Sequence, residues 1–436
     1  MVEIMKNKLP NTHDFSFMRV PLDCRYSLFT MVMVRIGIMT ALGQFMLGAM
    51  LGHAMPFYDA LLATFLGSML LEFVSLGLGI AGAREGFSTS QLARWCGFGL
   101  YGSSMVSILI VLSLIGWFGV QNAILANGLN YALNNKPGFV TSALLSGLGL
   151  TALMTFGFRA LGWIAIVTVP LFMLVVGWIV CELLAGYHLI ELMTTLPTGQ
   201  PMTLGMAATA VGGGYIVTSV TTADIGRYCQ NSRHVFWMIT LSIIVGEFVV
   251  NSIAILIAHA LNTSDVVTIM TQTAGWIGLL AVILSALKIN DSNLYSSSLA
   301  LLSAVEGISG RKLSYVGLTL ALGTAGTLLT VAGILEKFTG FLILLGVIFP
   351  PVAGVMLCDY WLLKTHRVEL DESRRLQQMP DPKILPAVGW NGVIACLAGI
   401  LTGLMIKMGI PSLNSLLVSI TVYALLNGYP FKKAVK

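Results

Sequence analysis

Residues 283–295 read ILSALKINDSNLY, an oily run of helical character in which Lys288 and Asp291 stand three positions apart. The fold turns on whether such a run lies in water or in lipid. Hydrophobic residues make up 56% of the 436-residue chain and charged residues only 10%, a balance that no water-soluble domain of this length tolerates on its surface. An all-α integral membrane protein is therefore expected. A helix needs about 20 apolar residues to cross roughly 30 Å of hydrocarbon, so the chain is long enough for about twelve crossings joined by short loops.

Apolar runs between polar breaks give candidate spans centred near Thr40, Leu70, Leu114, Leu150, Thr168, Gly213, Ile244, Leu284, Gly323, Leu345, Ala398 and Val418. Cytoplasmic loops are enriched in Lys and Arg, so the placement of these residues orients the chain. Of the 24 Lys and Arg residues, Lys136, Lys337 and Lys407 fall on one side, Arg35 and Lys288 fall inside the membrane, and all others share the opposite side. Both termini share that basic side and are expected in the cytoplasm. The chain is then a multi-pass protein of the cell (inner) membrane, with the lipid bilayer as its surroundings.

The net charge of +5 is mostly this loop bias and gives no support to nucleic-acid binding. No cleavable signal with a short apolar core is read in the first 25 residues. The six cysteines, among them Cys181, Cys358 and Cys396, lie in or beside apolar runs without metal-ligand or disulfide spacing and read as small buried hydrophobes. An enzyme embedded in the membrane would need a clustered nucleophile and base or a His-rich metal site. The six histidines, including His53, His188, His259 and His366, are dispersed, so neither an enzyme nor a metal or cofactor is expected.

Many spans with short loops suggest a transporter, and many transporters are built from inverted repeats whose first helices are interrupted near the midplane. Two places suit such a break. Span one carries Gly37, Gly43 and Gln44 in RIGIMTALGQF, and span six carries Gly212, Gly213 and Gly214 in VGGGYIVTS. Each glycine costs about 1 kcal/mol against alanine in a helix, which favours a break with free backbone groups facing a watery cavity. The alternative is that the glycines only let helices pack closely.

Residues 116–122, GWFGVQN, set Trp117 and Gln121 four apart, on one helix face. An indole face stacks on a flat ring, and a carboxamide offers an acceptor and two donors to its edge, a pairing that suits a nucleobase. Both residues are also ordinary packing residues of membrane helices. Tyr215 follows the triple glycine and either projects toward the same ligand or packs. Arg35, Glu72, Glu247, Lys288 and Asp291 are ionisable groups at membrane depth, where charge is costly enough to mark function by default. Lys288 and Asp291 either neutralise each other or serve coupling, and Glu72 or Glu247 is a candidate partner for Arg35.

Four stretches carry a resemblance: GWFGV in span three, TTADIGRY at 221–228, NDSNLYSSSL at 290–299 and IFPPVAGVMLCDYW at 348–361. With them the chain resembles the cytosine permeases of the nucleobase:cation symporter-1, or purine-cytosine permease, family, from about span one to span ten. The resemblance implies a five-plus-five inverted repeat of the LeuT-like kind with two further helices, and alternating access around a central site. It implies a cytoplasmic segment at 1–26, a first repeat at 27–185, a second at 203–362 and the extra helices at 385–428. A permease that imports a nucleobase-like substrate is implied, with Trp117 and Tyr215 at the two stacking positions, Gly214 offering backbone groups, and Gln121, Ser285 and Asn290 completing the substrate site.

Two departures bear on substrate and ion. Gln121 matches a glutamine that hydantoin-transporting relatives place four residues after the tryptophan, whereas cytosine permeases place one before it, where this chain has Leu114. In sodium-coupled members, span-one carbonyls and span-eight hydroxyls hold the ion; here Gly37 is the matching carbonyl donor, and Lys288 and Ile289 stand at the hydroxyl positions. An ammonium has only donors to offer, so it fills the ion's place electrostatically. Gly37, Lys288 and Asp291 are the candidate coupling residues, and a proton is expected as coupling ion, with sodium as the alternative. A hydroxymethylpyrimidine, a hydantoin or a purine is the alternative substrate.

Overall fold

The computed structural model describes residues 18–39, 42–155, 170–171, 174–182, 186–309 and 313–429. The centre and first half of the span expected near Thr168 lie outside these residues, as do Thr40 and the basic residues Lys6, Lys8, Arg159, Arg311, Lys312, Lys432, Lys433 and Lys436. Helices account for the regular structure, and among the described residues the one β feature is an isolated bridge between Tyr26 and Cys229.

The first span is two helices, α1 (Leu28–Met39) and α2 (Leu42–Ala54), inclined at 51° to each other. Then follow α3 (Phe57–Glu85), α4 (Gly99–Ala132), α5 (Phe139–Thr155), α6 (Leu204–Val220) and α7 (Ser232–Leu261). The chain continues through α8 (Val266–Ser309), α9 (Tyr315–Val331), α10 (Phe338–Leu363), α11 (Trp390–Met405) and α12 (Pro411–Leu426). Side chains mark several starts: Thr203, Asn231 and Ser314 each accept a hydrogen bond from the backbone N–H three residues on, as N-caps do. Gly86, at φ 67°, closes α3 in the left-handed conformation that glycine adopts without strain.

Among the described residues, five helices are long and apolar enough to cross a membrane, and the bent pair α1 and α2 makes a sixth span; α5, α6, α9, α11 and α12 are apolar but shorter. In α10, 78% of the most apolar stretch is buried, against 50–56% in the other long helices, so α10 lies inside the bundle while its neighbours turn one face outward. Leu112, Leu328, Leu401 and Phe73 on those outward faces are more than half exposed, an arrangement suited to lipid and not to water. Cys181 is exposed as well, contrary to its reading as buried, whereas Cys358 and Cys396 are buried.

At the end where basic residues gather, Glu85 closes α3 with a side chain fully shielded from solvent. It meets Arg19 at 3.1 Å and Arg374 at 2.9 Å and accepts a hydrogen bond from the Tyr360 hydroxyl at 2.7 Å. A buried carboxylate is tolerated only with such partners, and here it ties the chain before α1 to α10 and to the short helix Arg367–Arg375. Burial lowers the Arg19 guanidinium from its ordinary range, while the hydrogen bond and charge of Glu85 oppose that shift.

The triple glycine does not break α6, which is continuous from Leu204 to Val220. Opening it would leave backbone groups unpaired where hydrocarbon supplies no partners, at several kcal/mol each, more than the glycines' weak helix propensity. The glycines act by close approach instead. A Cβ on Gly213 would fall on the carbonyl of Leu342 in α10, with the Gly346 nitrogen 2.9 Å away. The turn comes later, at Thr221, before the short helix Thr222–Gly226.

Gly213→Val is expected to lower stability by at least about 1–3 kcal/mol, the usual cost of overpacking, because backbone cannot move aside as a side chain can. Gly340→Val on the same α10, where a Cβ meets nothing within 4 Å, is the control. Thermal unfolding in detergent checks the pair: a large drop for the first and little change for the second.

Candidate functional site

Two large apolar clusters fill the bundle, one toward the Glu85 end and one toward α2 and the start of α10. Trp117 and Phe341 pack against both, which puts them at the waist between the clusters. A cavity of about 370 Å³ opens there, within the range of about 300–1,000 Å³ typical of small-molecule sites. Its wall is formed by α1, α2, α4, α6 and α8.

Trp117 and Gln121 both line this cavity, as their four-residue spacing predicts. The indole is fixed edge-to-face by Phe341 at 5.6 Å and Phe338 at 6.0 Å. Against it packs Gly43 of α2, where an added Cβ would stand 3.4 Å from the indole and 3.3 Å from the Gln121 amide nitrogen. Gln121 is 1% exposed and its Oε1 has no hydrogen-bond partner. A buried acceptor without a partner is costly, so its place at a cavity wall suggests that a ligand supplies the donor.

Tyr215 and Gly214 line the cavity from α6, with the tyrosine hydroxyl donating to the Met39 carbonyl at 3.5 Å. Since α6 is unbroken, Gly214 does not offer the free backbone groups expected of it; a Cβ there would stand 3.2 Å from Leu47 Cδ2 of α2. Gly37 lines the wall from α1, and Lys288 and Ile289 line it from α8. Among the described residues Lys288 makes no hydrogen bond or ion pair, and in particular none to Asp291.

Ser285, Asn290 and Asp291 are not brought to this cavity. The reason is helical phase. The face of α8 toward the cavity repeats every four residues as Lys288, Ser292 and Ser296, with Ile289 and Asn293 alongside, and Asn290 and Asp291 fall outside it. Asn290 is fully buried against α4, where its amide, with oxygen and nitrogen exchanged, pairs with the Phe118 carbonyl and the Asn122 N–H. Ser292, Asn293, Ser296 and Thr218 are lining residues that the sequence reading missed. The spacing from Lys288 was the signal for the first three; nothing in the sequence pointed to Thr218. Asn293 brings a second unpartnered group, its Nδ2.

The other ionisable groups at membrane depth are paired differently from expectation. Arg35, 1% exposed, donates to the Thr218 carbonyl at 3.3 Å and to Ser75 Oγ at 3.4 Å. Among the described residues it forms no ion pair with Glu72 or Glu247. Glu72 accepts from Thr240 Oγ1 at 2.6 Å, and Glu247 accepts from Gln44 Nε2 at 3.0 Å. Neutral hydrogen-bonding partners replace the expected ion pairs.

A second cavity of about 450 Å³ reaches Ser88, Thr89, Asp224 and Arg227, and shares Leu114, Val217, Thr218, Thr221, Ile225 and Ser296 with the first. The waist therefore communicates with one end of the bundle. Toward the other end, Leu42, Phe45, Val120, Ile124, Phe338 and Leu342 are packed in the second apolar cluster.

A sequence model for the family of permeases for cytosine/purines, uracil, thiamine and allantoin matches residues 25–427. The chain is 28% identical over 424 residues to the cytosine permease of Escherichia coli K12, covering 95% of this chain and 94% of that protein. The cytosine permease of Escherichia coli O157:H7 matches to the same extent. Among solved structures, an inward-facing conformation of Mhp1 superposes with a TM-score of 0.80 at 17% identity, covering 95% of this chain and 94% of that one. A closed conformation of Mhp1, a nucleobase-cation-symport-1 family transporter with bromovinylhydantoin bound, gives 0.76 at 18% identity over 96% of both chains. The shared fold is the LeuT-like one.

Trp117→Ala is expected to weaken binding of a flat ring by about 5- to 150-fold, because stacking on an aromatic side chain is worth about 1–3 kcal/mol per ring. Trp276→Ala, at an exposed position, is expected to leave binding unchanged. Equilibrium binding of a radiolabelled heterocycle to both purified variants checks this.

Proposed function

Because the chain belongs to the family of permeases for cytosine/purines, uracil, thiamine and allantoin, we propose that it imports a nucleobase such as cytosine by alternating access, coupled to protons. It is a multi-pass membrane transporter and not an enzyme. In this reading the base stacks on Trp117 beside Tyr215, and the Gln121 carbonyl accepts from its polar edge. The observation that carries the reading is the pair of unpartnered groups at the waist, the Gln121 acceptor and the Asn293 donor, beside a fixed indole. Nucleobase edges alternate donors and acceptors, so a base can satisfy both groups at once.

The open end, lined by Asp224 and Arg227, is taken as cytoplasmic, in line with the loop bias of Lys and Arg, which also puts both termini in the cytoplasm and the protein in the cell (inner) membrane. The present state is then inward-open. Lys288 supports proton rather than sodium coupling: it lines the same cavity as Gly37, and a sodium ion there would need oxygen ligands, which an ammonium does not offer.

One observation favours a second substrate class. Leu114 lines the cavity where cytosine permeases are expected to have a glutamine, while Gln121 follows the pattern expected of hydantoin transporters. A hydantoin or a related heterocycle is the alternative on that ground.

Uptake into liposomes tests the proposal. In sodium-free buffer, an inside-alkaline pH gradient is expected to drive accumulation of labelled cytosine or a related heterocycle, and a protonophore to abolish it. Strict dependence on sodium contradicts the coupling, and absence of uptake for every nucleobase and hydantoin contradicts the substrate class.

A further inference from the structure

Glu247 is a fully buried carboxyl group that the substrate cavity does not use. It sits in a π-helical turn, Ile244–Val250, within α7, a local widening that often accompanies functional sites. Its Oε2 accepts from Gln44 Nε2 at 3.0 Å and from Asn251 Nδ2 at 3.4 Å, and Gln44 Nε2 also donates to Asn251 Oδ1 at 2.7 Å. All three residues are 0% exposed. Two atoms of this cluster, Glu247 Oε1 and Gln44 Oε1, have no partner, and both are acceptors in a deprotonated site. What the cluster lacks is a donor. One proton on Glu247 Oε1 turns that acceptor into a donor and removes an uncompensated buried charge.

The charged and titratable groups on the packed elements leave that role to the carboxyl itself. On α1, Arg35 is occupied by Thr218 and Ser75, and on α3, Glu72 is bonded to Thr240. Tyr215 of α6 donates to the Met39 carbonyl. His53 ends α2, Asp59 begins α3, and Arg84 and Glu85 end α3. Within α7, Arg233 and His234 lie in the first turn, and His259 in the last, bonded to the carbonyls of Leu192 and Met55. No ion pair to Glu247 exists among the described residues.

The same turn of α7 holds both sides of the bend in the first span. A Cβ on Gly246 would come within 2.6 Å of Met39 Cβ, so the backbone beside Glu247 touches the last residue of α1. Glu247 itself is bonded to Gln44 of α2. One residue before Gln44 stands Gly43, packed on Trp117 and Gln121 in the substrate cavity. The carboxyl is therefore one helical step from the waist, yet outside its wall.

We propose that Glu247 is the site that carries the coupling proton, and that its protonation sets the bend between α1 and α2 through Gln44. This rests on the proton-coupled reading above. The proton adds to the carboxylate oxygen from one side of the membrane and leaves the same oxygen toward the other; no other bond is made or broken. In the present state the oxygen is sealed from both cavities, which holds the proton until α2 moves.

The test compares wild type, Glu247→Gln and the exchanged pair Gln44→Glu with Glu247→Gln in liposomes, with labelled cytosine or the heterocycle that the wild type takes up. With one proton per substrate, a gradient of about one pH unit sustains an about tenfold concentration ratio in wild type. Glu247→Gln, which mimics the protonated acid in shape, is expected to keep substrate exchange within about twofold of wild type while its accumulation ratio falls to about one. The exchanged pair, which returns a carboxyl to the cluster, is expected to recover gradient-driven accumulation. The proposal is overturned if Glu247→Gln accumulates substrate as wild type does, if it loses exchange together with accumulation as a merely structural residue would, or if the exchanged pair exchanges substrate without accumulating it. Wild-type accumulation that ignores the proton gradient removes the coupling reading itself, and is seen before any variant is made.

Discussion

A break in a helix inside a bilayer has to be closed by protein, because hydrocarbon offers no hydrogen bonds to the freed backbone, and the bend between α1 and α2 is such a place. Its two lips are held from different sides. On the α1 side, Tyr215 bonds the Met39 carbonyl and Gly246 presses against the Met39 side chain. On the α2 side, Gln44 is bonded to Glu247 and Asn251, and Gly43 packs against Trp117 and Gln121. The hinge, the buried acid and the candidate substrate wall are therefore neighbours by construction. Any movement of α2 against α1 disturbs all three together.

Around that bend the bundle is sealed unevenly. Apolar packing among α2, α4 and α10 closes one end of the waist, whereas the other end opens through a second cavity between α4, α6 and α8. Gly213 makes possible the close seating of α6, which lines the cavity, on α10. Alternating access requires the closed and open ends to exchange roles, and the short, separately held helices of the first span are suited to that movement.

Much of this was legible in the sequence, and the failures have a common cause. Hydrophobic runs and their breaks marked the helices because the bilayer imposes length and apolarity directly on the sequence. The spacing of Trp117 and Gln121 reported a shared face because it depends only on helical geometry. The triple glycine misled, since local propensity favours a break and only the α10 backbone beyond it explains an unbroken, closely packed helix. The same limit separates Lys288 from Asp291 and Asn290. Proximity in sequence suggested one functional group, but the helix turns Lys288 to the cavity, Asn290 to α4 and Asp291 elsewhere. Glu72 and Glu247 are candidate partners for Arg35 in the sequence because unpaired charge at depth is costly; carbonyl and hydroxyl oxygens on two neighbouring helices, invisible in a linear reading, take that place.

The central claim is that the waist cavity receives a flat, hydrogen-bonding heterocycle. Ligand-induced thermal stabilisation of the purified protein tests it most directly, since a ligand that binds only the folded state raises stability in proportion to the logarithm of its concentration over Kd. Across a panel of nucleobases, hydantoins, hydroxymethylpyrimidine, amino acids and sugars, the account predicts a concentration-dependent shift for one or more of the flat heterocycles and none for the amino acids or sugars. A shift confined to the non-aromatic compounds, or none for any heterocycle at millimolar concentration, would contradict it.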